Sequence, residues 1–227
     1  MWLAAALILS AIQDGRESDR YPQRLKPHFR YETGWLVAPS YSFLIYDDLA
    51  SDLYEAGQLF QIEASAYGEY LGWYWAYGGF LAYANANNSG LDAGPPIGTF
   101  DANLDTYMAG ALGRVGNGGL PGFHFGLTLG LGVTIMNEQI EADNGSVDRT
   151  TDEAGFLIRG GLFIDRDLIN NEEIGLLIGL TFDYFWSGVH DRFDESITFW
   201  SLGFRIALVF RPGVIKDDEL PEWWHRR

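Results

Sequence analysis

The sequence predicts an all-β fold: a closed up-and-down antiparallel transmembrane β-barrel of eight strands. Three observations predict it. Long runs alternate large apolar residues with small ones. The 227 residues include 28 glycines and 35 aromatics (8 Trp, 12 Tyr, 15 Phe). The connections between runs alternate between short and long.

Successive side chains of a strand point to opposite faces, so an alternating run has one apolar and one small or polar face. Strand one, residues 35–46, sets Trp35, Val37, Tyr41, Phe43 and Ile45 against Ala38, Ser40 and Ser42, with Pro39 breaking the pattern. Strand two, residues 59–67, sets Phe60, Ile62, Ala64 and Ala66 against Gln61, Glu63 and Ser65. At Gly68-Glu69 the apolar parity switches to odd, giving Leu71, Trp73, Trp75 and Tyr77 in strand three. Such a switch marks a hairpin reversal or a bulge. Strand four falls within residues 104–115, with its parity ambiguous. Strand five has the clearest pattern: Phe123, Phe125, Leu127, Leu129, Leu131, Val133 and Ile135 alternate with Gly, His and Thr. Strand six, residues 154–164, sets Phe156, Ile158, Leu162 and Ile164 against Gly155, Arg159 and Gly161. Strand seven runs from Ile174 to Trp186 on even positions, against Gly175, Gly179, Thr181, Asp183 and Ser187. Strand eight runs from Trp200 to Phe210, against Ser201, Gly203, Arg205, Ala207 and Val209. Runs this long exceed the usual five or six residues and match a tilted bilayer crossing.

Short turns are expected at 68–69, 116–122 and 168–173, and longer polar loops at 47–58, 85–101 and 137–151. The connection at 191–196 is short but acidic. Short turns on one rim and long loops on the other is the outer-membrane arrangement, with the long side extracellular. An eight-stranded barrel has room inside only for side chains to fill it. Seven large residues per strand would overfill that lumen, whereas glycine and threonine fit. The apolar face therefore points outward, into hydrocarbon. Trp35, Tyr70, Trp73, Trp75, Tyr184, Trp186, Trp200 and Phe210 bracket the apolar band as girdle aromatics would.

Composition removes other classes. There is no cysteine, so disulfide scaffolds, thiolate metal sites and cysteine nucleophiles are excluded. Two lysines, a net charge of −16 and a pI near 4.4 exclude a nucleic-acid partner, which would need a basic footprint. Mean hydropathy is −0.07, and no apolar run suffices for a transmembrane helix. Residues 1–12 read as a signal peptide, with the apolar run WLAAALILSAI; residues 13–33 as a polar periplasmic arm; 34–211 as the barrel; 212–227 as a polar C-terminal tail.

The last strand carries a more specific signal. Ser201, Gly203, Ile206, Leu208 and the terminal aromatic Phe210 follow the polar–x–Gly–x–x–apolar–x–apolar order of an outer-membrane assembly signal. With it, residues 34–211 resemble the eight-stranded outer-membrane barrel family of the OmpA/OmpX type. The resemblance implies a Gram-negative-type outer membrane, insertion by the barrel-assembly machinery, and surrounding outer-membrane lipids including lipopolysaccharide. Residues 211–227 depart from members that end at the terminal aromatic.

Glu63, Arg159, Asp183 and Arg205 fall on the small-residue face near mid-strand, and an ion-paired lumen charge cluster is expected from them, because buried charges persist when paired. His124 and Thr128 share that face as interior groups. Acids crowd the long-loop side: Asp47, Asp48, Asp52, Glu55, Asp92, Asp101, Glu138, Glu141, Asp143, Asp148, Asp152, Glu153, Asp191, Asp194 and Glu195, opposed there by Arg149 and Arg192. This rim is expected to attract cations; its default reading is a solvated surface in a high-salt habitat, and weak divalent binding that bridges to anionic lipid is the alternative. Residues 143–148 lack the trailing Glu of a calcium loop, so no metal ligand is assigned. No cofactor and no catalytic residue is expected. The function expected is that of a non-enzymatic barrel, structural or surface-binding through acidic extracellular loops. The alternatives are a lipid-modifying enzyme, an acyltransferase or deacylase using Ser187, His190 and Asp191, or a small passive channel. Ser187 and His190 have opposite parity, which separates them on a regular strand.

Overall fold

The structure is a computed structural model that describes residues 32–47, 54, 56–70, 73–92, 99–120, 122–142, 148–170, 174–190 and 196–210. Its strands are β1 (Glu32–Tyr46), β2 (Gly57–Tyr70), β3 (Trp73–Asp92), β4 (Thr99–Leu120), β5 (Phe123–Ala142), β6 (Asp148–Asn170), β7 (Ile174–His190) and β8 (Ser196–Phe210). Each pairs antiparallel with its neighbours in sequence, and β8 returns to β1, closing an eight-stranded barrel. Residues 1–31 and 211–227, read above as signal, arm and tail, lie outside the described residues, save that β1 already begins at Glu32.

The alternation sorts onto the two faces as the size argument requires. Leu129 is 70% exposed, and Leu180 and Phe204 are both 39% exposed, so none of the three lies in the lumen. Large apolar side chains on every strand share this outward exposure, which only hydrocarbon can cover. At one rim Trp35, Trp73 and Phe210 face out; at the other, Trp200 packs on Tyr184 with ring centroids 4.5 Å apart. The side chain of Tyr70 lies outside the described residues.

Four sequence expectations need correction. The β2–β3 reversal is not at Gly68-Glu69: both residues are still paired in the ladder, and Tyr70 faces Trp73 across positions 71–72. Residues flanking a two-residue turn share a face, so the parity switch falls in the turn itself. Strand four extends over Thr99–Leu120. Its ambiguity arose because it is apolar on both faces: Leu104, Met108 and Leu112 point in, while Tyr107 and Val115 point out.

The short connections are tighter than expected, since β4 runs to Leu120 and β6 to Asn170. Gly122, with φ of 73°, takes the left-handed conformation that the β4–β5 turn needs. Finally, two of the expected long loops are mostly strand. β3 and β4 stay paired out to Asp92↔Thr99, and β5 and β6 out to Glu141↔Asp148. Backbone hydrogen bonding needs no outward apolar face, so the ladder continues where the outward side has turned polar while the buried inward side keeps apolar residues such as Ala86, Ala102 and Ile140.

Candidate functional site: a charged layer inside the barrel

The lumen is packed in three layers. Toward the short-turn rim lies an apolar cluster that includes Leu36, Tyr67, Tyr74, Phe163, Leu177 and Val209. Toward the other rim lies a larger one, with Leu44, Tyr46, Phe80, Leu104, Met136, Leu157, Phe185 and Phe199. Between them sit the buried charges.

These charges come from inward positions of five strands. Arg159 on β6 grips Asp183 on β7 with two bonds: Nε donates to Oδ1 at 3.1 Å and Nη2 to Oδ2 at 2.8 Å. Its Nη1 donates to Gln61 Oε1 at 2.7 Å, and its guanidinium lies 5.2 Å from the Phe185 ring centroid. Deeper, Arg114 on β4 donates from Nη2 to Glu63 Oε2 at 2.9 Å and lies 5.2 Å from the Phe163 ring centroid. Glu63 also accepts from Ser65 Oγ at 3.2 Å and stands 3.7 Å from Arg205 Nη2. Arg205 Nη1 in turn donates to Asp165. All six charged side chains are at most 3% exposed. Three guanidiniums therefore meet three carboxylates, and the layer's formal charge is zero.

Of the four residues expected to cluster, Arg159 and Asp183 pair directly. Glu63 and Arg205 belong to a second group, in which Arg114 and Asp165 are their closer partners. The sequence reading missed Arg114, Asp165 and Gln61 as members. Arg114 lies on the strand whose parity was ambiguous. Asp165 has the same parity as Arg159, one residue past where strand six was ended, so a one-residue extension would have found it.

The lumen also makes room for its carboxylates. A Cβ on Gly161 would collide with the Asp183 carboxylate, and one on Gly179 with that of Asp165. Gly161 faces Asp183 in the β6–β7 ladder, and Gly179 faces Asp165. Close approach to a neighbouring side chain is what requires glycine there.

His124 is buried near the short-turn rim, its Nε2 3.3 Å from Asp167 Oδ1, and Thr128 is buried two inward rows further along β5, opposite Arg114 in the β4–β5 ladder. Ser187, offered as a nucleophile, is fully buried and accepts from the Val189 N–H at 3.1 Å. The His190 side chain and Asp191 lie outside the described residues. In the assembly-signal segment Ser201 points into the lumen, while Ile206, Leu208 and Phe210 face out. Many of the rim acids stand on strands rather than loops: Asp92, Asp101, Glu138, Glu141, Asp148, Asp152 and Glu153. Asp48, Asp52, Glu55, Asp143, Asp191, Asp194, Glu195 and Arg192 lie outside the described residues. No group of three or more metal-ligating side chains occurs among the described residues.

A closed eight-stranded antiparallel barrel with an apolar outer band and a filled lumen is the build of an outer-membrane β-barrel protein, and the outer membrane is its place. No family model and no curated protein matches the chain. Solved structures similar to it in fold include Ail, the attachment invasion locus protein of Yersinia pestis, in complex with the heparin analogue sucrose octasulfate. The identity is 13%, over 78% of this chain and 98% of that one, with a TM-score of 0.44. Neisserial surface protein A is 14% identical over 78% of this chain and 97% of that one, with a TM-score of 0.41. A major outer membrane protein from Thermus thermophilus is 12% identical over 78% of this chain and 99% of that one, also with a TM-score of 0.41. These likenesses concern the fold, and nothing about binding or activity passes from those proteins to this chain.

Proposed function

We propose that the chain is a non-enzymatic outer-membrane barrel, structural or surface-binding through its acidic outer rim, with a lumen sealed against passive flux. One observation supports this best: a charge-balanced layer of three arginines and three carboxylates lies between two apolar clusters, so neither water nor ions meet a continuous polar path. A conducting pore would need that layer hydrated from both ends. A lipid-modifying enzyme would need a nucleophile or base at a lipid-facing rim, and the candidate Ser187 points inward. Under this reading Ser201, Gly203, Ile206, Leu208 and Phe210 serve recognition by the barrel-assembly machinery.

The test combines two assays on purified protein. In planar bilayers, no discrete conductance is expected from the wild type, and steady single-channel currents would overturn the sealed-lumen reading. With lipid A as substrate, no acyl change is expected. Turnover abolished by His190→Ala would establish the enzyme instead.

A further inference from the structure

The outward face of β3–β5 changes character at one level. Tyr83 and Tyr107 face each other across the β3–β4 ladder, exposed, with ring centroids 5.2 Å apart, and end the apolar band. The next outward row holds Asn85, Asp105 and Asn137; the row beyond it holds Asn87, Asn103 and Gln139; the third contains Asp101 and Glu141. The first rows are already organised. Tyr83 Oη and Asn85 Nδ2 both donate to Asp105 Oδ1, at 2.7 and 2.8 Å, and Asn85 Nδ2 also reaches Asn103 Oδ1 at 3.1 Å.

Outward rows recur every two residues, about 6.6 Å along a strand, or about 5 Å of height at the usual tilt. Three rows therefore rise about 15 Å above the tyrosines, more than the roughly 5–8 Å of a phospholipid headgroup layer. Across this height the face offers amides, a tyrosine pair and carboxylates. Residues 34–211 contain no lysine, and none of the rows includes an arginine. Phosphate recognition would need cations there. The opposite rim differs: Arg166 lies 5.4 Å from the centroid of the lipid-side Phe123 ring.

We propose that this face docks an uncharged sugar headgroup of the surrounding glycolipid. The amides and carboxylates exchange hydrogen bonds with its hydroxyls, and the exposed tyrosine rings pack on its apolar face. Bonded amides held in place lose little freedom on binding. The inference rests on the outer-membrane reading above and adds the chemical class of the lipid contacted.

The test uses the full chain in phosphatidylcholine nanodiscs. They are doped with digalactosyl diacylglycerol, which is neutral, or with phosphatidylglycerol, which is anionic, each with Mg²⁺ or with EDTA. Native mass spectrometry counts retained lipid, and the loss of heat-modifiable gel migration gives the unfolding midpoint. The expected result is selective retention of the galactolipid and a raised midpoint, both indifferent to EDTA. Both gains should disappear in Asn103→Ala/Gln139→Ala, whose side chains lie on the outward face, half-buried and exposed respectively, away from the packed lumen. Retention of phosphatidylglycerol alone, lost on adding EDTA, would overturn the inference in favour of cation bridging. Equal retention of all lipids would overturn it too. Absence of a heat-shifted band in phosphatidylcholine alone would overturn the barrel reading itself, and this inference with it.

Discussion

Arg159 and Asp183 meet on adjacent strands of the lumen wall through two near-parallel hydrogen bonds of 3.1 and 2.8 Å, each side chain 2% exposed. Neither charge has water to retreat to. Asp183→Ala is expected to destabilise the barrel by about 3–5 kcal/mol, because it strands a buried guanidinium. The double variant Arg159→Met/Asp183→Leu should recover most of that loss, since an apolar pair of similar volume carries no desolvation cost. Urea unfolding in detergent micelles, followed by tryptophan fluorescence, measures both.

The glycines beside the carboxylates provide a sterically controlled comparison. Gly161→Ala forces a methyl group into Asp183, whereas the same change at Gly160 meets nothing within 4 Å. The first should cost about 1–3 kcal/mol and the second close to nothing. Equal midpoints for the two variants would refute the packing described for the charged layer.

Pro39 breaks the pattern of strand one for a reason visible in the ladder. The β1–β2 register passes through Pro39↔Ile62 without interruption. The β1–β8 register skips from Val37↔Leu208 to Ser40↔Arg205. Proline has no N–H, so the missing donor faces the seam where the barrel closes. Pro39→Val restores that donor within lipid. It should stabilise the fold by about 1 kcal/mol, the usual worth of one hydrogen bond. Amide exchange at Ile206 and its neighbours on β8 should slow in the variant; unchanged exchange there would count against the seam.

Leu131 and Leu180 stand mid-strand on the lipid side. Arginine at either is expected to cost about 2–4 kcal/mol of folding stability in bilayers. Arginine at Asn103, beyond the tyrosine pair, should cost far less. Refolding yields into vesicles rank the three, and equal tolerance at all of them would contradict the outward orientation.

The fold was legible because a bilayer crossing imposes period-two patterning on every strand, and strands five, seven and eight display it without interruption. Legibility failed where that constraint lapses. Inward Leu104, Met108 and Leu112 blurred strand four, since the lumen there is itself an apolar core, and Arg114 was lost with it. Above the tyrosines the outward face no longer needs to be apolar, so the outer halves of β3 to β6 read as loops, although inward residues such as Ala86, Ala102 and Ile140 stay buried and the backbones remain paired. Four of the six charges in the layer, Glu63, Arg159, Asp183 and Arg205, could be named from parity alone. Asp165 was missed because strand six was ended one residue too soon, and which charge pairs with which depends on the stagger between strands, which no single strand encodes.

Hydrogen bonds between β4 and β5 continue as far as Phe100↔Ala142. Whatever occupies positions 93–98 and 143–147 is therefore carried on stiff ribbon rather than on slack chain. An epitope grafted at either position would be displayed at a fixed stand-off from the cell, clear of the crowded leaflet, and large antibodies could reach it without competing against the surrounding lipid.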